Sequence, residues 1–92
     1  MKKYLLQETH QANGLHPQIK TFTMHDTFDE CVQIAREESI HEYNACVKLK
    51  FVKPGDVAIR EVNNYRVGEP IIHIYNDSTE ETFAWFITEL DV

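Results

Sequence analysis

The N-terminal part of the chain alternates short apolar and polar runs around a turn signal, a pattern that predicts a β-hairpin. Asn13 and Gly14 both tolerate the positive φ that a type I′ turn requires, so we expect them to join the two strands. The strands are predicted over residues 4–11 and 18–24. The second strand begins after Pro17, because proline has no backbone N–H to donate to a neighbouring strand.

A helix is predicted to follow the hairpin. Thr27 and Glu30 have the spacing of a capping box, in which both side chains accept hydrogen bonds from backbone N–H groups at a helix start. We expect the helix to run from Thr27 to Ser39 or His41. At about 100° per residue it has one mainly apolar face that would pack on a sheet. That face holds Phe28, Cys31, Val32, Ala35 and Ser39, and the opposite face holds Glu30, Glu37 and His41.

Alternation predicts a third strand directly after this helix. Val47, Leu49 and Phe51 alternate with two lysines, which is the period-two pattern of a half-buried strand over residues 47–51. The pattern indicates a strand with one apolar and one basic face.

Two further strands are predicted to complete an antiparallel meander. The first covers residues 57–67, with a bulge at Asn63-Asn64, where the alternation changes phase. A turn that begins with Gly68 then leads to a strand over residues 70–75.

The C-terminal segment is predicted to be a second helix. Residues 78–81, Ser-Thr-Glu-Glu, form another capping box. Apolar residues follow at the i, i+3, i+4 and i+7 spacing of one helix face, namely Phe83, Phe86, Ile87 and Leu90. The complete order is then ββαβββα in one domain, residues 1–92. We therefore expect an α+β fold of two layers, an antiparallel sheet with two helices on one face.

Trp85 is predicted to lie on the far side of this last helix from its apolar face. About 100° per residue places it roughly opposite Phe83, in one column with Glu81 and Glu89. An exposed tryptophan among carboxylates is typical of a protein-binding hot spot that attracts a basic partner. The alternatives are that the N-terminal hairpin or a second copy of the chain covers Trp85.

Composition and charge support a partner with a basic surface. The chain has 92 residues and 42% hydrophobic residues, which allows one core and excludes a multi-domain enzyme. Its formal net charge is −6, and residues 67–92 contain six acids and no Lys or Arg. Binding to phosphate backbones needs clustered cations, so this balance disfavours nucleic acid in general.

The middle of the chain supports an alternative function, because residues 47–66 hold five cations and two acids. The predicted open face of the sheet carries Lys48, Lys50, His73 and Tyr75. Cations between aromatic side chains on an open sheet are typical of single-stranded nucleic-acid binders. The last five predicted elements, αβββα, also resemble the layout of a double-stranded-RNA-binding domain. Those domains begin their last helix with basic residues, whereas residues 78–81 include two acids, so the resemblance implies a layout and no RNA binding.

No enzymatic site is predicted. The five histidines form no H-E-x-x-H or paired Glu-x-x-His pattern, and the chain lacks a G-x-S-x-G motif and a glycine-rich phosphate loop. We therefore expect no catalytic residue, no metal and no cofactor. Cys31 and Cys46 are expected to be reduced structural thiols. The N-terminus lacks a signal peptide and the chain lacks an apolar membrane segment, which predicts a cytoplasmic protein without membrane contact.

The small size, the acidity and the absence of catalytic motifs are similar to those of phage-encoded antagonists of host nucleases, anti-CRISPR proteins among them. The resemblance implies a non-enzymatic inhibitor that mimics nucleic acid by presenting carboxylates to a basic groove. The residues predicted to bind this partner are Trp85, Glu81, Glu89, Glu80, Asp77, Glu37 and Glu30. A single-stranded nucleic-acid binder and a structural homodimer remain the alternatives.

Overall fold

The computed structural model describes residues 1–49, 53–62, 66 and 68–92. Within these residues the chain forms five strands and one α-helix, with a short 3₁₀ turn before the third strand. The elements in chain order are β1 (Lys2–Gln11), β2 (Gln18–His25), α1 (Phe28–Leu49), the 3₁₀ turn (Pro54–Asp56), β3 (Val57–Glu61), β4 (Ile72–Asn76) and β5 (Glu81–Asp91).

The five strands form one antiparallel sheet in the order β2-β1-β5-β4-β3. β5 is the central strand and pairs with β1 along its length, from Lys2↔Asp91 to Gln11↔Thr82. β2 and β3 are the edge strands. The expected α+β fold with an antiparallel sheet is confirmed. The order ββαβββα with two helices is wrong, because the described residues contain a single helix and end in a strand.

The N-terminal hairpin is confirmed, but its turn differs from the predicted type I′. Leu15 N donates a hydrogen bond to Ala12 O over 3.0 Å, which closes a four-residue turn. Gly14 has a φ of +75°, whereas Asn13 does not have a positive φ. A positive φ at the third residue alone is the requirement of a type II turn, so glycine is needed at only one position.

The start of α1 follows the sequence pattern. Glu30 N donates a hydrogen bond to Thr27 Oγ1 over 3.1 Å, which is one half of the predicted capping box. The Glu30 carboxylate lies 3.2 Å from His25 Nδ1. The predicted apolar face is confirmed, since Cys31 and Ala35 are 0% exposed and Ser39 is 2% exposed.

The end of α1 does not follow the prediction. The helix continues to Leu49, so a strand over residues 47–51 is wrong in its described part, and its last two residues lie outside the described residues. The helical spacing of core residues continues through Tyr43, Cys46 and Val47, and Cys46 is 1% exposed. No Gly or Pro occurs between Phe28 and Leu49 to stop the helix.

β3 and β4 confirm the antiparallel pair of the predicted meander. β3 ends at Glu61, and the predicted bulge at Asn63-Asn64 lies outside the described residues. Glu69 N donates to Arg66 O over 3.1 Å, so Gly68, with a φ of +87°, is the third residue of its turn rather than the first central one.

The predicted C-terminal helix is wrong, because residues 81–91 form β5. Asn76 Oδ1 accepts hydrogen bonds from Ser78 N at 3.1 Å and Thr79 N at 3.3 Å, so the supposed capping box is an Asx-type turn. Glu80 has a φ of +56°, which ends the turn where a helix would have begun. The layout resemblance to a double-stranded-RNA-binding domain, which needed a final helix, is lost.

The core lies between α1 and one face of the sheet. Cys31 Sγ donates to Tyr4 O over 3.9 Å, and the rings of Tyr4 and Phe28 meet edge to face at 6.2 Å. The buried sheet residues of this core are Leu6, Val57, Ile71, Ile72, Ile74, Phe83, Trp85 and Ile87. In the described part of the chain, no helix is both long enough and apolar enough to cross a membrane.

Candidate protein-binding surface

The second face of the sheet lies on the side away from α1 and combines large apolar side chains with uncharged polar ones, namely Gln7, Thr9, Gln11, Thr82 and Thr88. In an antiparallel sheet, directly paired residues point to the same face and neighbours in sequence point to opposite faces. Leu5 pairs with Met24 and Thr88, and Gln7 pairs with Phe22 and Phe86. Their neighbours Leu6, Trp85 and Ile87 belong to the core, so these residues point away from it. We call this surface the open face; its apolar members are Leu5, Ile19, Phe22, Met24, Ala58, Tyr75, Ala84, Phe86 and Leu90.

The edge strand β2 contributes the most exposed part of the open face. Ile19 is 59% exposed, Phe22 is 68% exposed and Met24 is 49% exposed. The pairing register shifts between Glu8 and Thr9 of β1, so Lys20 is a bulged residue of β2 with no register partner on β1. A bulge re-aims a side chain, and Lys20 accordingly reaches the helix side of the sheet while Ile19 and Phe22 stay on the open face.

The centre of the open face continues this apolar surface at lower exposure. Leu5, Phe86 and Leu90 are half-buried, and Ala84 is 7% exposed between its neighbours on the central strand. The apolar surface therefore reaches the middle of the sheet through Leu5, which pairs with Met24 and has Phe86 and Leu90 as diagonal neighbours. Gln7 lies between Phe22 and Phe86.

The described strand positions of the open face include no acidic residue. Its charged members are Lys3 and Arg60, at positions that pair with Leu90 and His73. Lys3 forms an ion pair with Asp26, which follows β2. A chain of net charge −6 thus presents a face with no carboxylate at its described strand positions, and Asp26 reaches Lys3 there from the residue after β2.

Trp85 does not lie on an exposed surface. It is 0% exposed, so the prediction of an exposed hot spot is wrong, and cover within the same chain is the alternative that holds. The helical angle that placed it opposite Phe83 does not apply to a strand, where residues two apart share a face. Trp85 and Phe83 therefore point together into the core.

The carboxylates predicted to form one array are distributed over the molecule. Glu81 and Glu89 stand at opposite ends of β5, about 27 Å apart along an extended strand. Oε2 of Glu81 lies 2.7 Å from Nε2 of His10. Glu89 forms an ion pair with Lys2 at 2.8 Å.

The other four predicted acids are exposed at two separate places. Asp77 and Glu80 belong to the β4–β5 turn, and Glu30 and Glu37 lie on the outer side of α1. The structure thus brings Asp77, Glu80 and Glu81 together at one turn and separates them from Glu89.

The residues of the nucleic-acid alternative are also divided. His73 and Tyr75 lie on the open face as predicted, and Tyr75 is 44% exposed. Lys48 lies on α1 and not on the sheet, while Lys50 lies outside the described residues. Arg60 pairs with His73 and provides a cation next to these two rings.

A buried charge cluster lies beneath β2 on the helix side. The Glu8 side chain is 4% exposed, and its Oε2 lies 3.5 Å from Lys20 Nζ. Lys20 also pairs with Glu42 of α1 and lies 5.6 Å above the centre of the Phe83 ring. Burial raises the pKa of the Glu8 carboxyl, and Lys20 opposes this effect. One lysine thereby connects β2 to β1 and to the helix.

Two histidines of the hairpin lie within hydrogen-bond distance of carboxylates, His10 of Glu81 and His25 of Glu30. The His10 ring stacks on Phe83 with 4.6 Å between centres, and His25 lies beside Glu30. Among the residues described, no group of three or more His, Cys, Asp or Glu is arranged to hold a metal ion. Cys31 and Cys46 are free thiols in the core.

A cleft of about 620 Å³ opens where β1 begins and β5 ends. Its lining includes the rings of Tyr4 and Phe28 and the Lys2–Glu89 ion pair. The lining therefore combines two aromatic rings with charges of both signs.

The fold and the surfaces define a two-layer α+β protein with one helix-covered and one open sheet face. Comparison with known proteins finds no matching protein family, no similar curated protein and no similar solved structure.

Proposed function

We propose that this chain is a non-enzymatic protein-binding module and that its docking surface is the open face of the sheet. The observation that carries the proposal is the row of exposed apolar side chains Ile19, Phe22 and Met24. This row continues through Met24 into Leu5 and, diagonally, into Phe86, and the residue between Phe22 and Phe86 is the uncharged Gln7. Contiguous apolar surface of this kind marks interaction sites, because its removal from water is favourable only against another apolar surface.

A protein fits this face better than a nucleic acid does. Nucleic-acid binding draws most of its affinity from clustered cations, and the described strand positions of the open face offer only Lys3 and Arg60. Lys3 is already paired with Asp26. Phe22, Met24 and Ile19 are aliphatic or aromatic anchors of the kind that protein interfaces bury at their centre.

The exposed carboxylates give this module a second property. Asp77 and Glu80 at the β4–β5 turn and Glu37 on α1 have no ion pair among the described residues. They would attract proteins with basic surfaces, and inhibition of a nucleic-acid-processing partner remains part of the proposal. We place the module in the cytoplasm, where the free thiols of Cys31 and Cys46 stay reduced.

The two methionines provide a direct test of docking. Met24 lies on the open face and is 49% exposed, whereas Met1 is 83% exposed at the chain terminus and serves as the internal reference. Hydroxyl radicals convert accessible methionine to its sulfoxide, which mass spectrometry quantifies. In cells that contain the protein, we expect Met24 to be oxidised several-fold less, relative to Met1, than in the isolated chain at nanomolar concentration.

Equal Met24:Met1 oxidation ratios in cells and in the dilute chain would show that the open face is uncovered and would overturn the proposal. If nuclease treatment raises Met24 oxidation to the level of the dilute chain, the molecule that covers the open face is a nucleic acid.

A single-stranded nucleic acid is the second candidate, favoured by the position of Tyr75 and His73 beside Arg60. It predicts fluorescence-detected binding of a short single strand at low salt, with affinity that falls steeply as salt rises. The variant Tyr75→Ala should weaken this binding by about 5- to 150-fold, since stacking on one ring contributes about 1–3 kcal/mol per base.

A further inference from the structure

We propose that the protein docked on the open face is a second copy of this chain, so that two sheets stack face to face in a homodimer. This inference rests on the proposed protein-binding function and names its partner. Two stacked sheets lie about 10 Å apart and interdigitate their side chains, and the face of one copy can cover the same face of another.

The dimensions of the open face suit such a pair. The three long strands β1, β2 and β5 have 10, 8 and 11 residues, and β3 and β4 have five each. At about 3.3 Å per residue and about 4.8 Å between strands, the face measures roughly 600 Å². Two copies would bury roughly 1,200 Å² in total, which is the lower limit of specific interfaces. We therefore expect a reversible dimer rather than a permanent one.

The charge distribution permits two identical copies to meet at this face and at few others. Each chain carries −6 overall, so contact through most of its surface brings carboxylates together. The open face carries no carboxylate at its described strand positions, and Lys3 is neutralised by Asp26. Face-to-face stacking thus buries apolar side chains without bringing carboxylates of the described strand positions together, and it leaves Arg60 of the edge strand β3 as a cation of this face with no ion pair among the described residues.

Edge-to-edge pairing of two sheets is a weaker competitor. The β2 edge is interrupted by the bulge at Lys20, and bulges twist an edge away from regular pairing. The β3 edge has five residues and carries the charged side chains of Arg60 and Glu61. Short, charged edge strands are the usual protection against pairing with another chain.

The sign of the salt dependence separates a second copy from a basic partner. Two chains of net charge −6 repel each other outside the apolar contact, and salt screens this repulsion over about 10 Å at 0.1 M. Self-association is therefore expected to strengthen as salt rises from 0.02 to 0.5 M. Binding of an acidic chain to a basic protein or a nucleic acid would weaken over the same range.

The test compares wild type, Phe22→Glu and the matched control Ile40→Glu by light scattering and analytical ultracentrifugation from low micromolar to millimolar concentration. Both substitutions add one carboxylate at an exposed apolar residue, Phe22 at 68% exposure on the open face and Ile40 at 57% exposure on α1. We expect wild type and Ile40→Glu to form dimers of twice 10.8 kDa as the concentration increases. Phe22→Glu should dissociate about 30-fold more readily, the effect of losing a hot-spot residue of about 2 kcal/mol. Circular dichroism confirms that each variant is folded.

Three results would overturn the inference: wild type that stays monomeric at millimolar concentration, association of Phe22→Glu as strong as that of wild type, or dimerisation that weakens with salt. The oxidation measurement in cells distinguishes the two levels of the argument. If the isolated protein is monomeric but Met24 is protected in cells, the homodimer is rejected and the protein-binding function stands. If the isolated protein is monomeric and Met24 is not protected in cells, both the homodimer and the protein-binding function are rejected.

Discussion

Both faces of the sheet carry apolar side chains along the central strand, but α1 covers only one of the two faces. Trp85 and Phe86 are neighbours on β5, yet Trp85 is 0% exposed under α1 and Phe86 is half-buried on the open face. The helix-covered face includes Ile72 and Ile74, at 1% and 0% exposure. On the open face, Phe22 and Ile19 are more than half exposed.

This difference separates residues that hold the fold together from residues available for binding. A side chain on the covered face is packed by the same chain, so its removal leaves a cavity. A side chain such as Phe22 on the open face is already in water in the monomer, so its removal costs the fold little. Stability measurements should therefore respond to one face and association measurements to the other.

The largest effect is expected for Trp85→Ala on the covered face. Removal of a fully buried aromatic side chain costs about 3–5 kcal/mol of unfolding free energy. Urea denaturation followed by circular dichroism measures this loss. The described residues give Trp85 Nε1 no hydrogen-bond partner, so Trp85→Phe should lose less than half as much. Loss of less than about 1 kcal/mol in Trp85→Ala would contradict the assignment of this residue to the core.

The hairpin, the start of α1 and β4 could be predicted from the sequence because each has a local signal. Asn13-Gly14 marks the hairpin, and the Thr27 hydroxyl caps the helix as its position predicts. These signals depend on backbone conformation within four residues, and they hold without knowledge of the rest of the fold.

β5 could not be assigned from spacing alone, because apolar residues on both faces of a central strand also satisfy the i, i+3, i+4, i+7 pattern. Phe83 and Ile87 point to the core while Phe86 and Leu90 point to the open face, so four residues that mimic one helix face belong to two strand faces. The run of β-branched and aromatic residues from Thr82 to Thr88 was the available signal for a strand.

An open face with His73 and Tyr75 was predicted, but the apolar side chains that β2 contributes to it could not be, for a related reason. Alternation in β2 separates Phe22 and Met24 from Thr21 and Thr23, but it does not say which face of the sheet a single helix will cover. That choice depends on where α1 packs, and α1 was predicted about two turns too short.

The next effect in size concerns Lys20, the one described cation in contact with the buried Glu8. Lys20→Met keeps the alkyl stem on the Phe83 ring but leaves the Glu8 carboxylate without its opposite charge. Removal of one partner of a buried pair costs about 3–5 kcal/mol, which we reduce to roughly 1–3 kcal/mol because Lys20 is 43% exposed. Thermal and urea denaturation measure the change.

The matched control is Lys2→Met, which breaks the exposed Lys2–Glu89 pair. Surface pairs of this kind contribute little, so the control should unfold with a midpoint close to that of wild type. Equal losses in the two variants would show that the Glu8–Lys20 pair has no special role.

A smaller effect is expected in the pH dependence of stability. Burial raises the pKa of Glu8 in the folded chain, so the folded state binds this proton more tightly than the unfolded state does. The stability contributed by Glu8 is therefore largest below its unfolded pKa of about 4.3 and declines as pH rises above it. Lys20 opposes this decline, and Glu38 and Glu42 add to it.

Glu8→Gln removes this titration. We measure the unfolding free energy of wild type and of Glu8→Gln by urea denaturation from pH 4 to 7. As pH rises, the unfolding free energy of wild type should fall relative to that of Glu8→Gln. If the unfolding free energy of wild type instead rises relative to that of Glu8→Gln, Glu8 is stabilised as a carboxylate, contrary to the effect of its burial.

The smallest effect on stability is expected for Phe22→Thr, and this variant tests the comparison of the two faces most directly. Phe22 is 68% exposed and threonine has a high preference for strands, so the dilute chain should unfold within about 0.5 kcal/mol of wild type. At concentrations where wild type associates, ligation by a second copy adds stability to wild type that Phe22→Thr lacks, so the two denaturation midpoints should separate as concentration increases. A loss above about 2 kcal/mol in the dilute chain would place Phe22 in the core and remove the distinction, since exposed positions do not show losses of that size. Midpoints that coincide at every concentration would leave the two faces distinct in packing but would deny the open face its role in association.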